Sequence, residues 1–231
     1  MDTAPHQRVI ISVGGSLIVP DDIGRDFLRT FRDLIKSFIA QDFSFFIIAG
    51  GGKTARRYQS AAQEIRGDLS RDDLDWIGIH ATRLNAHLLR TLFREEAYPR
   101  VIKDPASLPL VPAPIMIGAG TEPGWSTDYI ATLAARSLGA HKLVNLTNID
   151  FVYTGDPRTS ADAVPIKKIS WRDFRALVPP EWDPGLSSPF DPVAAREAQM
   201  LGLEVAVING RKIDELGRYL RGKTFEGTVI S

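Results

Sequence analysis

Two short apolar runs, each stopped by glycines, limit what this chain can fold into. Val9-Ile10-Ile11-Ser12-Val13 runs into Gly14-Gly15, and Phe43-Ser44-Phe45-Phe46-Ile47-Ile48-Ala49 runs into Gly50-Gly51-Gly52. Runs of this length, rich in β-branched and aromatic residues, suit strands buried on both faces that feed tight loops. Between them, Asp21 or Asp22 is placed to cap a helix whose apolar face takes Ile23, Phe27, Phe31, Leu34, Ile35 and Phe38. The rhythm continues with helices from about Thr54 to Ile65 and from about Asp73 to Glu95, and a strand at Ile115-Met116-Ile117. A helix capped by Ser126 or Thr127 runs through Leu138, and Leu143-Val144-Asn145-Leu146 is a further strand. Asp191-Pro192 opens a helix through Leu201, and Val205-Ala206-Val207-Ile208 follows as a strand. This alternation predicts an α/β fold with a mainly parallel sheet and helices on both faces.

The 231 residues, 44% hydrophobic and 24% charged, suit one compact domain or two closely joined lobes. Pro105, Pro109, Pro112 and Pro114 mark a lobe boundary, and Val178 to Pro192, with five prolines, reads as a mobile loop. Twenty-eight basic and twenty-eight acidic residues leave no global positive field for a nucleic acid or an anionic membrane, so any phosphate site is local. The chain has no cysteine, which removes disulfides, thiolate nucleophiles and cysteine-based zinc sites. A polar start from Met1 to Arg8 and no run of 18 apolar residues lead to the expectation of a soluble cytoplasmic protein.

The glycine loops are the first candidates for chemistry. Where a strand ends and a helix begins, missing side chains let phosphate oxygens reach backbone N–H groups, and the helix start adds its positive dipole end. Two such loops could hold two phosphate-bearing groups, although each alone also reads as a plain turn. Gly52-Lys53-Thr54 mimics the end of a P-loop, but G-x-x-x-x-G-K-[ST] needs glycine where Ile47 stands. Gly50, Gly52 and Ala55 satisfy G-x-G-x-x-G/A, which keeps a dinucleotide-binding unit open as a competitor. It needs a following strand that ends in an acid, whereas Gly67 to Asp73 is polar and flows into a helix. His80 and His87 share a helix face but lie two turns apart, roughly 10 Å, too far for one ion.

A colinear set of short motifs carries more. Gly14-Gly15-Ser16, Gly50-Gly51-Gly52-Lys53-x-Ala55-Arg56, Asp75-x-Ile77-Gly78-Ile79 and Thr82-Arg83-x-Asn85-Ala86 occur in the first half. Pro123-Gly124-x-Ser126-Thr127-Asp128 and Thr147-Asn148-x-Asp150-x-Val152-Tyr153-Thr154-x-Asp156-Pro157 follow. In order and spacing this set resembles the archaeal-type UMP kinases of the amino acid kinase family, from about Val9 to Ile230. The resemblance implies a single domain, a three-layer αβα sandwich, with an approximate acceptor-binding lobe over 1–110 and an ATP-binding lobe over 111–231. It implies transfer of the γ-phosphoryl group of ATP to UMP, Mg²⁺ on the phosphates, and a homo-oligomer, hexameric in many relatives.

By position, the resemblance puts Ser12, Gly14, Gly15 and Ser16 under the transferred phosphate. It puts Gly51, Asp75, Thr121, Gly124, Ser126 and Thr127 around UMP, and Gly52, Arg56, Thr147, Tyr153 and Asp156 at ATP. Arg56 and Asp128 join the first glycine loop as catalytic candidates, with no metal ligand assigned. The residue chemistry is compatible: phosphoryl transfer needs positioning and charge stabilisation rather than a nucleophile. Asp75 can accept from ribose hydroxyls, and Ser126 and Thr127 at a helix start can meet a phosphate. Bland readings of the same residues exist, with Asp128 as a first-turn acid, Arg56 as part of a solvated face, and Asp150 and Asp156-Pro157 as turn formers.

Three departures stand out. Ser12 occupies a position where many amino acid kinases carry lysine, so the cation for the γ-phosphate is expected from Lys53, Arg56 or the Ser187 to Arg196 segment. Phe151 replaces the usual glycine of the T-N-x-D-G-V-Y motif, and Trp125 stands beside the proposed acceptor phosphate. Two alternatives remain: a kinase of another small phosphate or carboxylate, resembling isopentenyl phosphate, acetylglutamate or fosfomycin kinases, and a non-catalytic nucleotide- or oxyanion-binding storage protein on the same fold.

Overall fold

A computed structural model describes residues 7–108, 113–157, 159–160, 162–179 and 188–231. The first half contains β1 (Gln7–Val13), α1 (Gly15–Ile18), α2 (Arg25–Ile39), β2 (Phe43–Ala49), α3 (Gly52–Arg66) and α4 (Arg71–Leu92). After these come β3 (Ile115–Gly118), α5 (Thr127–Leu138), β4 (Lys142–Thr147), β5 (Val152–Tyr153), β6 (Pro165–Ile166), β7 (Lys168–Ile169) and α6 (Trp171–Leu177). The chain ends with α7 (Pro192–Met200), β8 (Glu204–Asn209), α8 (Ile213–Leu220) and β9 (Thr228–Ile230).

Seven strands form one sheet in the order β3-β2-β1-β4-β8-β9-β7, and every pairing is parallel except β8 with β9. β5 and β6 make a separate antiparallel ribbon. Alternation along each strand sorts side chains into two cores. Val9, Ile11, Val13, Phe45 and Ile47 pack with α2, α4 and α8 on one face. Ile10, Phe46, Ile48 and Leu143 pack with α5, α6 and α7 on the other. Helices thus cover both faces, as the αβα expectation has it.

This period of two also aims polar groups. Ser12 follows Ile10 onto the α5 face, and its register partner Asn145 follows Leu143 there. Both are buried at the C-terminal ends of central strands, next to the switch point between β1 and β4, where sheets of this kind open a crevice.

Some helix starts differ from expectation. Neither Asp21 nor Asp22 caps α2: Gly24 is the N-cap, its N–H bonded to the Ile18 carbonyl at 2.8 Å. The Asp22 carboxylate instead accepts from the neighbouring Ile23 N–H, and Ile23 is 47% exposed rather than part of the apolar face. α4 begins two residues earlier than expected, at Arg71, where Ser70 and Asp73 form a capping box. Residues 109–112 of the proline-rich boundary and 180–187 of the expected mobile loop lie outside the described residues.

Candidate active site

The two glycine loops touch each other. A Cβ on Gly15 would lie 2.6 Å from Gly52 Cα and 2.7 Å from the Gly50 carbonyl carbon, closer than real Cβ atoms come. Gly52 itself has φ +65°, which a side chain would strain. The loops expected to hold two separate phosphates therefore form one continuous wall. Gly14 N–H donates to the Leu146 carbonyl at 2.7 Å and Gly50 N–H to the Val13 carbonyl at 2.9 Å, tying that wall to the strand ends. From α4, Asn85 Nδ2 donates to the carbonyls of Gly50 at 2.8 Å and Gly51 at 3.2 Å.

The wall borders a cavity of about 580 Å³. Ser16, Gly51, Gly52, Arg56, Asp75, Ser126, Thr127 and Asp128 line it, so half of the sixteen residues singled out from sequence meet in one place. Asp75 also secures the loop after β3, its Oδ2 accepting from Gly124 N–H at 2.8 Å. Ser126 caps α5 by accepting from Tyr129 N–H at 3.0 Å. Gly14 and Gly15, at the turn from β1 into α1, and Thr121 and Gly124 lie outside the lining, the Thr121 hydroxyl buried without a hydrogen-bond partner. Thr147, at the end of β4, Tyr153 in β5 and Asp156 beyond it also lie outside, although Asn148 next to Thr147 belongs to the lining.

Two carboxylates, Asp128 and Asp191, line the same cavity as the glycines. Asp128, in the first turn of α5, accepts from Ser12 Oγ at 2.9 Å through Oδ1 and from Asp191 N–H at 3.3 Å through Oδ2. Asp191 caps α7 by accepting from Ala194 N–H at 2.6 Å. Its segment is held from the sheet, where Asn145 Nδ2 donates to the Pro189 carbonyl at 2.8 Å. Burial pushes Asp128 up to about 6, with the charge of Asp191 adding to it and the Ser12 hydrogen bond opposing it. Burial likewise raises Asp191. Asp191 escaped the sequence reading because Asp-Pro reads as a helix cap, a task it also performs. Gln59 and Glu122 line the cavity without having given a motif signal.

Of the cations proposed to replace the missing lysine, Arg56 lines the cavity, whereas Lys53 pairs with Asp21 and Arg196 is exposed on α7. The large side chain of Phe151 is placed edge-on against Tyr153, ring centroids 6.3 Å apart. Asp150 does more than form a turn: it accepts from Asn209 Nδ2 at 2.8 Å and pairs with Lys212 at 2.9 Å, so that the residues after β4 are held to those after β8. His80 lies near Trp76, and no cluster of three His, Cys, Asp or Glu able to hold a metal exists among the described residues.

Residues 7–209 match the amino acid kinase family. The chain is 35% identical to the uridylate kinase of Pyrococcus abyssi over 229 residues, covering 96% of this chain and 99% of that one. It is 33% identical to the uridylate kinase of Hyperthermus butylicus over 232 residues, covering 98% and 99%. The crystal structure of uridylate kinase from Archaeoglobus fulgidus superimposes with a TM-score of 0.79 at 30% identity, covering 96% of this chain and 99% of that one.

Proposed function

The chain belongs to the amino acid kinase family, and we propose that it is a uridylate kinase, moving the γ-phosphoryl group of ATP onto UMP to give ADP and UDP. The observation that carries this reading is the convergence on one cavity of both glycine loops, Arg56, Asp75 and the Ser126–Thr127 helix start. The relatives named uridylate kinase span nearly the whole chain. UMP takes the side made by α3, α4 and the loop after β3, with Asp75 accepting from its ribose. ATP takes the side of Thr147, Tyr153 and Asp156. In this division, the acceptor lobe of about 1–110 borrows the loop 121–127 from the ATP lobe.

Two polyanions meeting in line repel each other, so the residues must position them and offset charge. Backbone amides around Gly14, Gly15 and Ser16 lie under the transferred group, and the planar fork of Arg56 can bind two phosphate oxygens at once. Arg56 is nevertheless the single cation among the described lining residues, against four carboxylates, Asp75, Glu122, Asp128 and Asp191. That donor chemistry fits Mg²⁺, which favours hard oxygens and is commonly held by one or two carboxylates together with phosphates. Asp128 and Asp191 are the residues that would hold it, and when bound it would neutralise phosphate charge. Ser12 keeps Asp128 oriented where the usual lysine would stand.

A homo-oligomer, hexameric as the resemblance implies, is consistent with the exposed apolar side chains of Tyr58 and Ile65 on α3 and of Trp76 and Leu84 on α4. Balanced charge and the lack of cysteine support a cytoplasmic setting without nucleic-acid partners. No helix among the described residues is long and apolar enough to cross a membrane. A coupled assay with Mg²⁺-ATP across UMP, CMP, dUMP, isopentenyl phosphate and acetylglutamate tests the reaction. UDP formation at least about tenfold faster than any other product is expected, a margin of roughly 1.4 kcal/mol. Turnover of a carboxylate acceptor with none of UMP refutes the assignment.

A further inference from the structure

The motif Thr82-Arg83-x-Asn85 has an unassigned member. Arg83 lies outside the cavity lining, yet its Nε donates to the Gly120 carbonyl at 3.2 Å and its Nη2 to the Thr121 carbonyl at 3.3 Å. One guanidinium thus spans two consecutive peptide oxygens at the point where the chain leaves β3 for the acceptor loop. Its neighbours act on the same segment: Thr82 Oγ1 accepts from Gly120 N–H at 2.8 Å, and Asp75 takes Gly124 N–H. Arg83 is itself fixed, its guanidinium carbon 5.9 Å from the centre of the Trp76 ring, one heptad back on the same face of α4.

We propose that Arg83 is a positioning residue for the acceptor, setting the conformation of the loop Thr121–Thr127 that UMP binds. The proposal rests on the acceptor assignment made above. Short neutral side chains cannot bridge the two carbonyls, and lysine, a single point donor, can reach one but not span both. Without the fork, the loop keeps its N–H attachments through Thr82 and Asp75 but loses the two carbonyl attachments at its entry. Loop ordering is then drawn from the binding of the acceptor, while the ATP side, built on β4 and β5, is left as it was.

Steady-state kinetics on Arg83→Met and Arg83→Lys, with thermal unfolding of each, test this. Arg83→Met is expected to raise KM for UMP by roughly tenfold, the loss of hydrogen bonds from a charged donor. KM for ATP, kcat at saturation and the melting temperature should stay close to wild type, and Arg83→Lys should recover part of the UMP affinity. Should Met lower the melting temperature, Arg83→Gln, which retains a hydrogen-bonding head, takes its place in the comparison. An unchanged KM for UMP, or KM values for UMP and ATP rising together, overturns the proposal. Wild-type protein run alongside separates the two ideas: no UDP from it removes the acceptor assignment and the clamp together. Normal wild-type turnover with an unaltered variant removes the clamp alone.

Discussion

The cavity is bounded by two walls of different material. On one side, Gly14–Ser16 and Gly50–Gly52 press main chain against main chain. On the other, Asp128 and Asp191 present side chains from the starts of two helices, α5 and α7. The glycine wall owes its shape to the absence of atoms, and nothing in it titrates. The carboxylate wall owes its character to charge, and burial has moved both of its members toward the neutral form. Steric change should therefore break the first, and isosteric neutralisation the second.

The largest effect is expected at the glycine wall. In Gly15→Ala the new Cβ meets backbone atoms of Gly50 and Gly52, which cannot swing aside as a side chain would. Overpacking of this kind costs about 3 kcal/mol, for a chain of this size roughly 6–12 °C in melting temperature. Calorimetry and turnover should fall together. An active Gly15→Ala protein with wild-type melting would show that the loops part more easily than their contact implies.

Asp128→Asn should behave in the opposite way, losing activity without losing the fold. We expect kcat to drop about 100-fold, roughly 2.7 kcal/mol of transition-state stabilisation. With Asp128 raised to about 6 from 3.8, the folded protein holds this proton more tightly than the unfolded chain. Its contribution to stability is therefore fully present below about pH 4 and is lost as pH rises through about 6. Activity has the reverse dependence, because the ionised form is the one that offsets cations: kcat/KM should decline below about pH 6. That acid limb should vanish in Asp128→Asn, whose melting temperature at pH 8 should not fall below wild type. A preserved limb would assign the titration to another group.

Arg56→Lys probes the α3 side of the cavity and should give the smallest change. It keeps the charge and loses the planar fork, so kcat is expected to fall about tenfold, near 1.4 kcal/mol, with melting unaltered. Full activity would reduce Arg56 to a point charge.

The glycine wall was the more legible of the two in sequence. A strand that ends in Gly-Gly announces its position, because strand patterning and glycine clustering are local signals. The carboxylate wall depends on residues 63 positions apart, Asp128 and Asp191, joined by a backbone hydrogen bond that no spacing rule encodes. Asp191-Pro192 was read as a helix start and is one, but its place in the cavity follows from Asn145 drawing the chain in at Pro189. Helix starts failed where a nearer partner won. Asp22 spent its carboxylate on Ile23, while the Ser70-x-x-Asp73 pattern, a local signature that was available, marked the true start of α4. The lack of contact between the two glycine loops in the sequence reading has the same origin, since parallel register between β1 and β2 brings them together across 35 residues.

The attachment of the loop after β3 to α4 has a consequence for how such a site changes over generations. Thr82, Arg83 and Asp75 grip it at Gly120, Thr121 and Gly124 through peptide N–H and carbonyl groups. Those groups are the same whatever residue bears them. The side chain at 122, which lines the cavity, takes no part in those attachments, whereas Trp125 adds packing against Tyr129. Mutation can try new chemistry at 122, and with it new acceptors, while the scaffold that presents each trial stays inherited and intact.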